Sequence, residues 1–136
     1  MTCIERCCKP SCTLIALILS AIVGVLTAFF QITGTAVLTI PIVWAALAVA
    51  VVYLGVLPLT AARADRLENC SCLCRVLTTL LLAILGTILL GSILLATGIV
   101  ATSVANALLV GLLLFFLTLT LTETACLVRC LSRCSF

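Results

Sequence analysis

Long apolar runs separated by short polar segments set the pattern of this chain. Four runs contain no charged residue, and they predict helices over about residues 13–32, 36–59, 76–97 and 101–121. A helix of about 20 residues rises about 30 Å, which is the thickness of the hydrocarbon core of a bilayer. The pattern therefore predicts four transmembrane helices.

Two short uncharged turns join these helices in pairs. Residues 33–35 (TGT) form the first turn and residues 98–100 (GIV) form the second. Connections of this length make neighbouring helices run antiparallel. A polar loop over residues 60–75 connects the two hairpins. The expected fold is all-α: residues 1–136 form one integral membrane domain, a four-transmembrane-helix antiparallel bundle whose two similar halves indicate an internal duplication.

The composition excludes a water-soluble domain. Hydrophobic residues make up 65% of the chain and charged residues 8%, whereas soluble proteins average about half apolar and about a quarter charged residues. A net charge of +3 is too small to indicate nucleic acid as a partner. The chain has no histidine, which removes the usual general base and the commonest nitrogen ligand for metals.

The basic residues predict the orientation in the cell membrane. All of them lie on the side that holds both termini and the central loop, and none lies in the two turns; they are Arg6, Lys9, Arg63, Arg66, Arg75, Arg129 and Arg133. Short loops rich in Lys and Arg stay in the cytoplasm, so both termini and the loop over 60–75 are predicted to be cytoplasmic. A reducing compartment argues against permanent disulfides.

Ten cysteines share that same predicted side. The main candidates for a metal site are Cys70, Cys72, Cys74, Cys126, Cys130 and Cys134, with Cys3, Cys7, Cys8 and Cys12 as further candidates. The last three main candidates share one helix face if the fourth helix continues past the membrane. Ligation by thiolates alone suits zinc, copper(I) or an iron–sulfur cluster. The paired C-x2-C motifs of common zinc sites are absent.

Other roles for the cysteines are open. A membrane thiol oxidoreductase is less favoured, because the chain has no C-x-x-C pair. Juxtamembrane cysteines are also sites of reversible acylation in eukaryotes. Small, mildly apolar thiols suit the membrane interface as well, and their clustering then reflects assembly or crosslinking.

Polar side chains are few inside the predicted helices. The absence of charged residues there disfavours a pump or a coupled transporter, which place ionisable groups within the membrane. Gln31 and Asn106 lie near the ends of their helices and are expected to make interhelical hydrogen bonds. Glu123 follows the predicted end of the fourth helix; a solvated charge is expected there, and an ion pair with a loop arginine is the alternative.

A stripe of small residues supports the leading hypothesis on function. Ser20, Gly24 and Ala28 recur at four-residue spacing, which allows another helix to approach closely. Together with the absence of catalytic residues, this favours a non-enzymatic assembly or interaction protein, as a homo-oligomer or with other membrane helices. The alternative is soft-metal binding or sensing through cytoplasmic-face cysteine thiolates.

The order of motifs resembles a known group of proteins. The segments CCKPSC, ITGT, CSCLC, ATG and TACLVRC separate the four helices or flank them, and this plan is similar to that of small cysteine-rich four-helix membrane proteins of Firmicutes. The resemblance implies no activity, cofactor or site. It implies a bacterial host, in which acylation of internal cysteines is not expected.

Overall fold

Four α-helices make up the structure. The computed structural model describes residues 11–35, 39–64, 71–98 and 103–134, and the side chains within 12–35, 39–59, 76–98 and 103–129. The helices are α1 (Ser11–Ile32), α2 (Ile40–Ala64), α3 (Ser71–Thr97) and α4 (Val104–Cys134), and the described residues contain no strand. The predicted all-α architecture with four helices is confirmed.

Each helix contains a segment that is long and apolar enough to cross a membrane. These segments are Cys12–Ile32, Ile40–Leu59, Val76–Thr97 and Val104–Arg129, each with a mean hydropathy of 2.4 or 2.5. The shortest has 20 residues, which matches the length needed to span the hydrocarbon core. The chain is a multi-pass membrane protein.

The connection between α2 and α3 is shorter than predicted. The sequence pattern placed a loop over residues 60–75, whereas α2 continues to Ala64 and α3 begins at Ser71. Hydropathy marks only the part of a helix that lies in hydrocarbon, and polar residues can continue its hydrogen bonds beyond that part. Both helices therefore extend out of the apolar segment at this end.

Two helices begin later than predicted. α2 starts at Ile40 instead of 36, and α4 starts at Val104 instead of 101. Pro41 consequently lies in the first turn of α2, where the N–H that proline lacks has no helical partner.

Glycines close the first and third helices. Gly34 and Gly98 have φ angles of +70° and +75°, in the left-handed region that glycine adopts at helix C-termini. The Gly98 N–H donates to the Leu94 carbonyl oxygen at 3.0 Å, and the Gly34 N–H donates to that of Gln31 at 3.3 Å. Both glycines belong to the predicted Thr-Gly turns.

The helices pack in the order α1, α4, α3, α2. Neighbours run antiparallel, since Ala16 near the start of α1 clusters with Leu119 late in α4, and Gly24 further along α1 meets Gly111 earlier in α4. α1 and α2 make almost no contact with each other, although they are adjacent in sequence. The bundle is therefore open on the side between α1 and α2.

Three apolar clusters form the interior. The first joins Val43, Leu94, Val110 and Leu113; the second joins Ala16, Ala83 and Leu119 with Phe115 and Phe116; the third joins Ala50, Leu80 and Ile84 with Tyr53. All three clusters include residues of α3 and the first two include α4, while α1 contributes to the second cluster and α2 to the first and third. Contacts of this kind hold membrane helices together through van der Waals packing.

Candidate functional site

The cysteine-bearing helix ends meet at one end of the bundle. Because neighbouring helices are antiparallel, α1 and α3 begin where α2 and α4 end. We call this region the cysteine end and define it by Cys12 in α1, Cys72 in α3 and Cys126 in α4. The ends of α1, α3 and α4 that carry these cysteines therefore lie at the same end of the bundle.

α4 is longer than its apolar pattern. The prediction ended this helix at 121, whereas α4 continues without interruption through Cys126 and Cys130 to Cys134. Residues at four-residue intervals lie on one face of a helix. The three cysteines can share one helix face only if the helix is continuous over them, and α4 is continuous to Cys134.

A disulfide joins Cys12 to Cys126. It connects the first turn of α1 to α4 across a sequence separation of 114 residues, with a Cα–Cα distance of 6.5 Å that lies within the usual range for disulfides. The expectation of no permanent disulfide stays a prediction, because it concerns how long such a bond lasts. The sequence argument concerned the compartment, whereas α1–α4 packing places these two cysteines side by side.

The metal site stays a prediction. The helices include Cys72, Cys74, Cys130 and Cys134, whose side chains lie outside the described ones, and Cys3, Cys7, Cys8 and Cys70 lie outside the described residues altogether. No three Cys, Asp, Glu or His residues form a group that could hold a metal within the described part of the chain. Cys12 and Cys126 cannot ligate a metal while they are bonded to each other, since the ligand is the thiolate.

Glu123 is buried, which corrects the expectation of a solvated charge. Its side chain is 0% exposed, and it lies within the membrane-spanning segment Val104–Arg129. Neither carboxylate oxygen accepts a hydrogen bond within the described part of the chain. The sequence pattern placed Glu123 outside the helix because α4 was expected to end two residues earlier. An ionisable group buried in a membrane segment is a candidate for function.

The neighbours of Glu123 on α4 do not satisfy its carboxyl group. The Thr120 hydroxyl donates to the Phe116 carbonyl oxygen at 2.8 Å, and the Thr124 hydroxyl donates to that of Thr120 at 2.6 Å. Threonines in helices commonly make this bond to their own backbone. Arg129 is the one other charged group among the described side chains, and it is exposed. Glu123 is thus a buried carboxylic acid whose oxygens form no hydrogen bond within the described part of the molecule.

Two amides lie at the opposite end of the bundle. Gln31 is 1% exposed and Asn106 is 7% exposed. Ala28, one turn before Gln31, approaches Gly111, which is little more than one turn after Asn106, so the antiparallel register brings the two amides to one level of the α1–α4 interface. Their expected location near the far ends of the helices is confirmed, while the expected interhelical hydrogen bonds stay a prediction.

The small-residue stripe of α1 packs against α4. Ser20 is fully buried and donates to the Ala16 carbonyl oxygen at 2.6 Å. Gly24 and Ala28 lie against Gly111. The stripe is a packing seam, as the spacing predicts, but its partner belongs to the same chain. It is therefore used within the bundle and does not by itself indicate an oligomer.

An apolar cleft of about 250 Å³ opens beside this seam. Its lining residues come from both helices and carry no polar side chain: Ala21, Gly24, Val25, Ala28, Leu108, Gly111, Leu112 and Phe115. Val25 and Leu108 are exposed, so the cleft faces outward from the bundle. Lipid chains surround such a surface in a membrane.

The sequence pattern did not reveal the burial of Glu123 or the pairing of Cys12 with Cys126. A helical signal for Glu123 was present, because Thr120, Glu123 and Leu127 follow a three-to-four-residue spacing, Leu113 lies two turns before Thr120, and all four are buried. That spacing extends the inward face of α4 past its apolar segment. No local signal identifies the pairing of Cys12 with Cys126.

Comparison of the chain with protein-family models, curated proteins and solved structures found no match. The resemblance to the Firmicutes group therefore stays a prediction.

Proposed function

We propose that the protein is a non-enzymatic membrane protein that acts by assembling with a second copy of itself. The observation behind this proposal is the open side of the bundle. α1 packs on α4 and α2 packs on α3, but α1 and α2 make almost no contact. α1 and α2, which are consecutive in sequence, thus leave apolar surface that no other described helix of the chain covers.

The chemistry of these two helices restricts the partner. The described side chains of α1 and α2 include no charged group, and residues such as Phe29 and Val52 are exposed. A partner on this side is an apolar membrane helix, because a polar one would bury groups without hydrogen-bond partners. A two-fold symmetric dimer is the commonest assembly of identical chains, and it brings two such open sides together.

The orientation is part of the proposal. Both termini and the connection between α2 and α3 face the cytoplasm, supported by the basic residues on that side. The cysteine end is then at the cytoplasmic surface.

Energy transfer between labelled copies in liposomes tests the assembly. Donor- and acceptor-labelled chains are reconstituted together, and the lipid-to-protein ratio is raised stepwise. A specific dimer keeps its transfer signal until dilution passes its dissociation constant, and native mass in mild detergent shows two chains. A signal that falls in proportion to dilution from the start, with a mass of one chain, contradicts the proposal.

A second candidate function is soft-metal binding at the cysteine end. The continuous α4 through Cys130 and Cys134 favours it, together with the start of α3 at Ser71, between Cys70 and Cys72. Thiolates from the ends of α3 and α4 suit zinc, copper(I) or an iron–sulfur cluster.

Native intact mass after anaerobic purification tests this candidate. Replacement of Cys70, Cys72 and Cys74 by serine is expected to remove the bound metal. The matched control replaces Cys12 and Cys126, which form the disulfide, and is expected to keep it. A bare mass for the unmodified chain, or unchanged metal content in the triple variant, rules this candidate out.

A further inference from the structure

The two sulfurs of the disulfide differ in exposure. Cys12 is exposed at the start of α1, while Cys126 is half-buried against the bundle. A thiolate that attacks a disulfide must reach one of its sulfurs. Attack is therefore expected at Cys12, the more exposed sulfur at the very start of the membrane-spanning segment Cys12–Ile32, and Cys126 becomes the leaving group.

A proton source lies one helical turn from that leaving group. Glu123 precedes Cys126 by three residues on α4, and residues at this spacing have Cβ atoms about 5–6 Å apart. Its carboxyl group is fully buried and accepts no hydrogen bond from the described residues. A departing thiolate in a buried setting needs a proton, and Glu123 is positioned to supply one.

Few other groups near Cys126 can exchange a proton. Among the described side chains, α1 contributes only Cys12 itself, and α3, over residues 76–98, contributes no ionisable group. α2 contributes Tyr53, which clusters with Leu80 and Ile84 of α3, and α4 contributes the exposed Arg129. Within this part of the molecule Glu123 is the one carboxylic acid.

We propose that the Cys12–Cys126 bond is a thiol–disulfide exchange site that accepts electrons from a dithiol, with Glu123 as proton donor to Cys126. The inference uses the cytoplasmic orientation given under the proposed function. Disulfides in the cytoplasm are usually transient and serve redox chemistry, so a disulfide at this surface is reversible. The site is independent of whether the chain forms dimers.

The exchange has two steps. A thiolate of the dithiol attacks the sulfur of Cys12, so a mixed disulfide forms, the Cys12–Cys126 bond breaks, and the Cys126 sulfur takes the proton of Glu123. The second thiolate of the dithiol then attacks its partner sulfur in the mixed disulfide and releases Cys12, which takes a proton from water. The dithiol is oxidised to a disulfide by two electrons, the protein gains two thiols, and the protons lost by the dithiol replace those taken from Glu123 and water.

Reduction changes how α1 is held. In the described part of the chain α1 packs mainly on α4, through its small-residue seam and this disulfide, while Ala16 also joins the apolar cluster that contains Ala83 of α3. Breaking the bond leaves the first turn of α1 without its covalent tie to α4. The redox state of a cytoplasmic dithiol is thereby linked to the edge of the bundle.

A redox titration of the purified full chain in detergent tests the exchange. All cysteines except Cys12 and Cys126 are replaced by serine, the protein is equilibrated with mixtures of reduced and oxidised dithiothreitol, and free thiols are alkylated and counted by peptide mass. We expect both cysteines to become alkylated together in one two-electron transition, and Cys12→Ser in this background to lose it. Two thiols already free after anaerobic purification, or a bond reduced only after unfolding, overturns the proposal.

The pH dependence of the reduction rate tests the role of Glu123. Glu123→Gln is expected to slow reduction by about a hundredfold, the lower end of general acid–base contributions, and to lose the titrating step in the rate profile. Thr124→Val is the control on the same turn and is expected to keep both. Wild-type rates across the pH range in Glu123→Gln remove Glu123 from the mechanism. Neither experiment depends on dimer formation, so failure here and failure of the proposed assembly are distinct results.

Discussion

A methyl group on Gly111 would lie 2.8 Å from the carbonyl oxygen of Gly24, and one on Gly24 would lie 3.0 Å from the carbonyl oxygen of Gly111. The contact is thus reciprocal, with each glycine opposite the backbone of the other. Ala28 adds a third small residue, 2.9 Å from the Cβ position of Gly111. Small residues at such crossings let helix backbones approach and gain van der Waals contact. This crossing fixes α1 on α4.

Gly111→Ala is expected to destabilise the protein. The added methyl group collides with backbone, which cannot move aside as a flexible side chain can, and overpacking of this kind costs about 1–3 kcal/mol. The measurement is the unfolding midpoint in detergent. Gly55→Ala is the matched control, because nothing lies within 4 Å of its Cβ position and alanine favours the helix. Equal unfolding midpoints for the two variants would contradict this prediction, because they would show that the added methyl group fits at the crossing without loss of stability.

Leu113→Ala is expected to cost more stability than Leu59→Ala. Leu113 is 0% exposed in the first apolar cluster, whereas Leu59 is 67% exposed. The loss falls below the roughly 2–5 kcal/mol seen for such changes in water-soluble cores, because lipid replaces water as the reference and only packing is lost. Denaturant unfolding in detergent measures both variants. A larger loss for Leu59→Ala would mean that an interface covers that side.

Glu123→Met is expected to stabilise the bundle. Burial of a polar group without a hydrogen bond costs about 1–3 kcal/mol by mutational measures, and methionine fills a similar volume without that cost. Thermal unfolding in detergent measures the change, and Leu121→Met at an exposed position of α4 is expected to stay within about 0.5 kcal/mol. A large loss of stability in Glu123→Met would show that the carboxyl group has a partner that holds the fold.

The two Thr-Gly turns are expected to face the outside of the cell. Single cysteines replacing Thr35 or Ser103, both exposed, in an otherwise cysteine-free chain should react with a membrane-impermeant maleimide in intact cells. A chain that retains only Cys12 should react with the maleimide only after the cells have been lysed. Labelling of Cys12 in intact cells would reverse the orientation and with it the compartment of the cysteine end.

Much of the architecture follows from local features of the sequence. The apolar runs give four spanning helices, and Gly34 and Gly98 give the turns, because transfer into lipid and backbone conformation act on each segment separately. The small residues Ser20, Gly24 and Ala28 also indicate a packing seam by spacing alone.

The ends and partners of the helices are not local. α4 continues to Cys134, well past residue 121, where the uncharged run of the sequence ends. Glu123 becomes buried because α4 keeps its inward face beyond that run. A sequence pattern reports whether a residue suits lipid, but an acid packed between helices is outside lipid and water alike. Its burial depends on the neighbouring helices.

The sequence by itself determined that this chain crosses a membrane four times and carries its charges and cysteines on one predicted side. Only the tertiary structure decided that α1 packs on α4 instead of α2, that the small-residue seam is internal, and that Cys12 pairs with Cys126 across 114 residues. The physical reason is that hydropathy and charge fix where each segment lies relative to the bilayer. The choice among helix partners depends on side-chain packing between segments far apart in the chain.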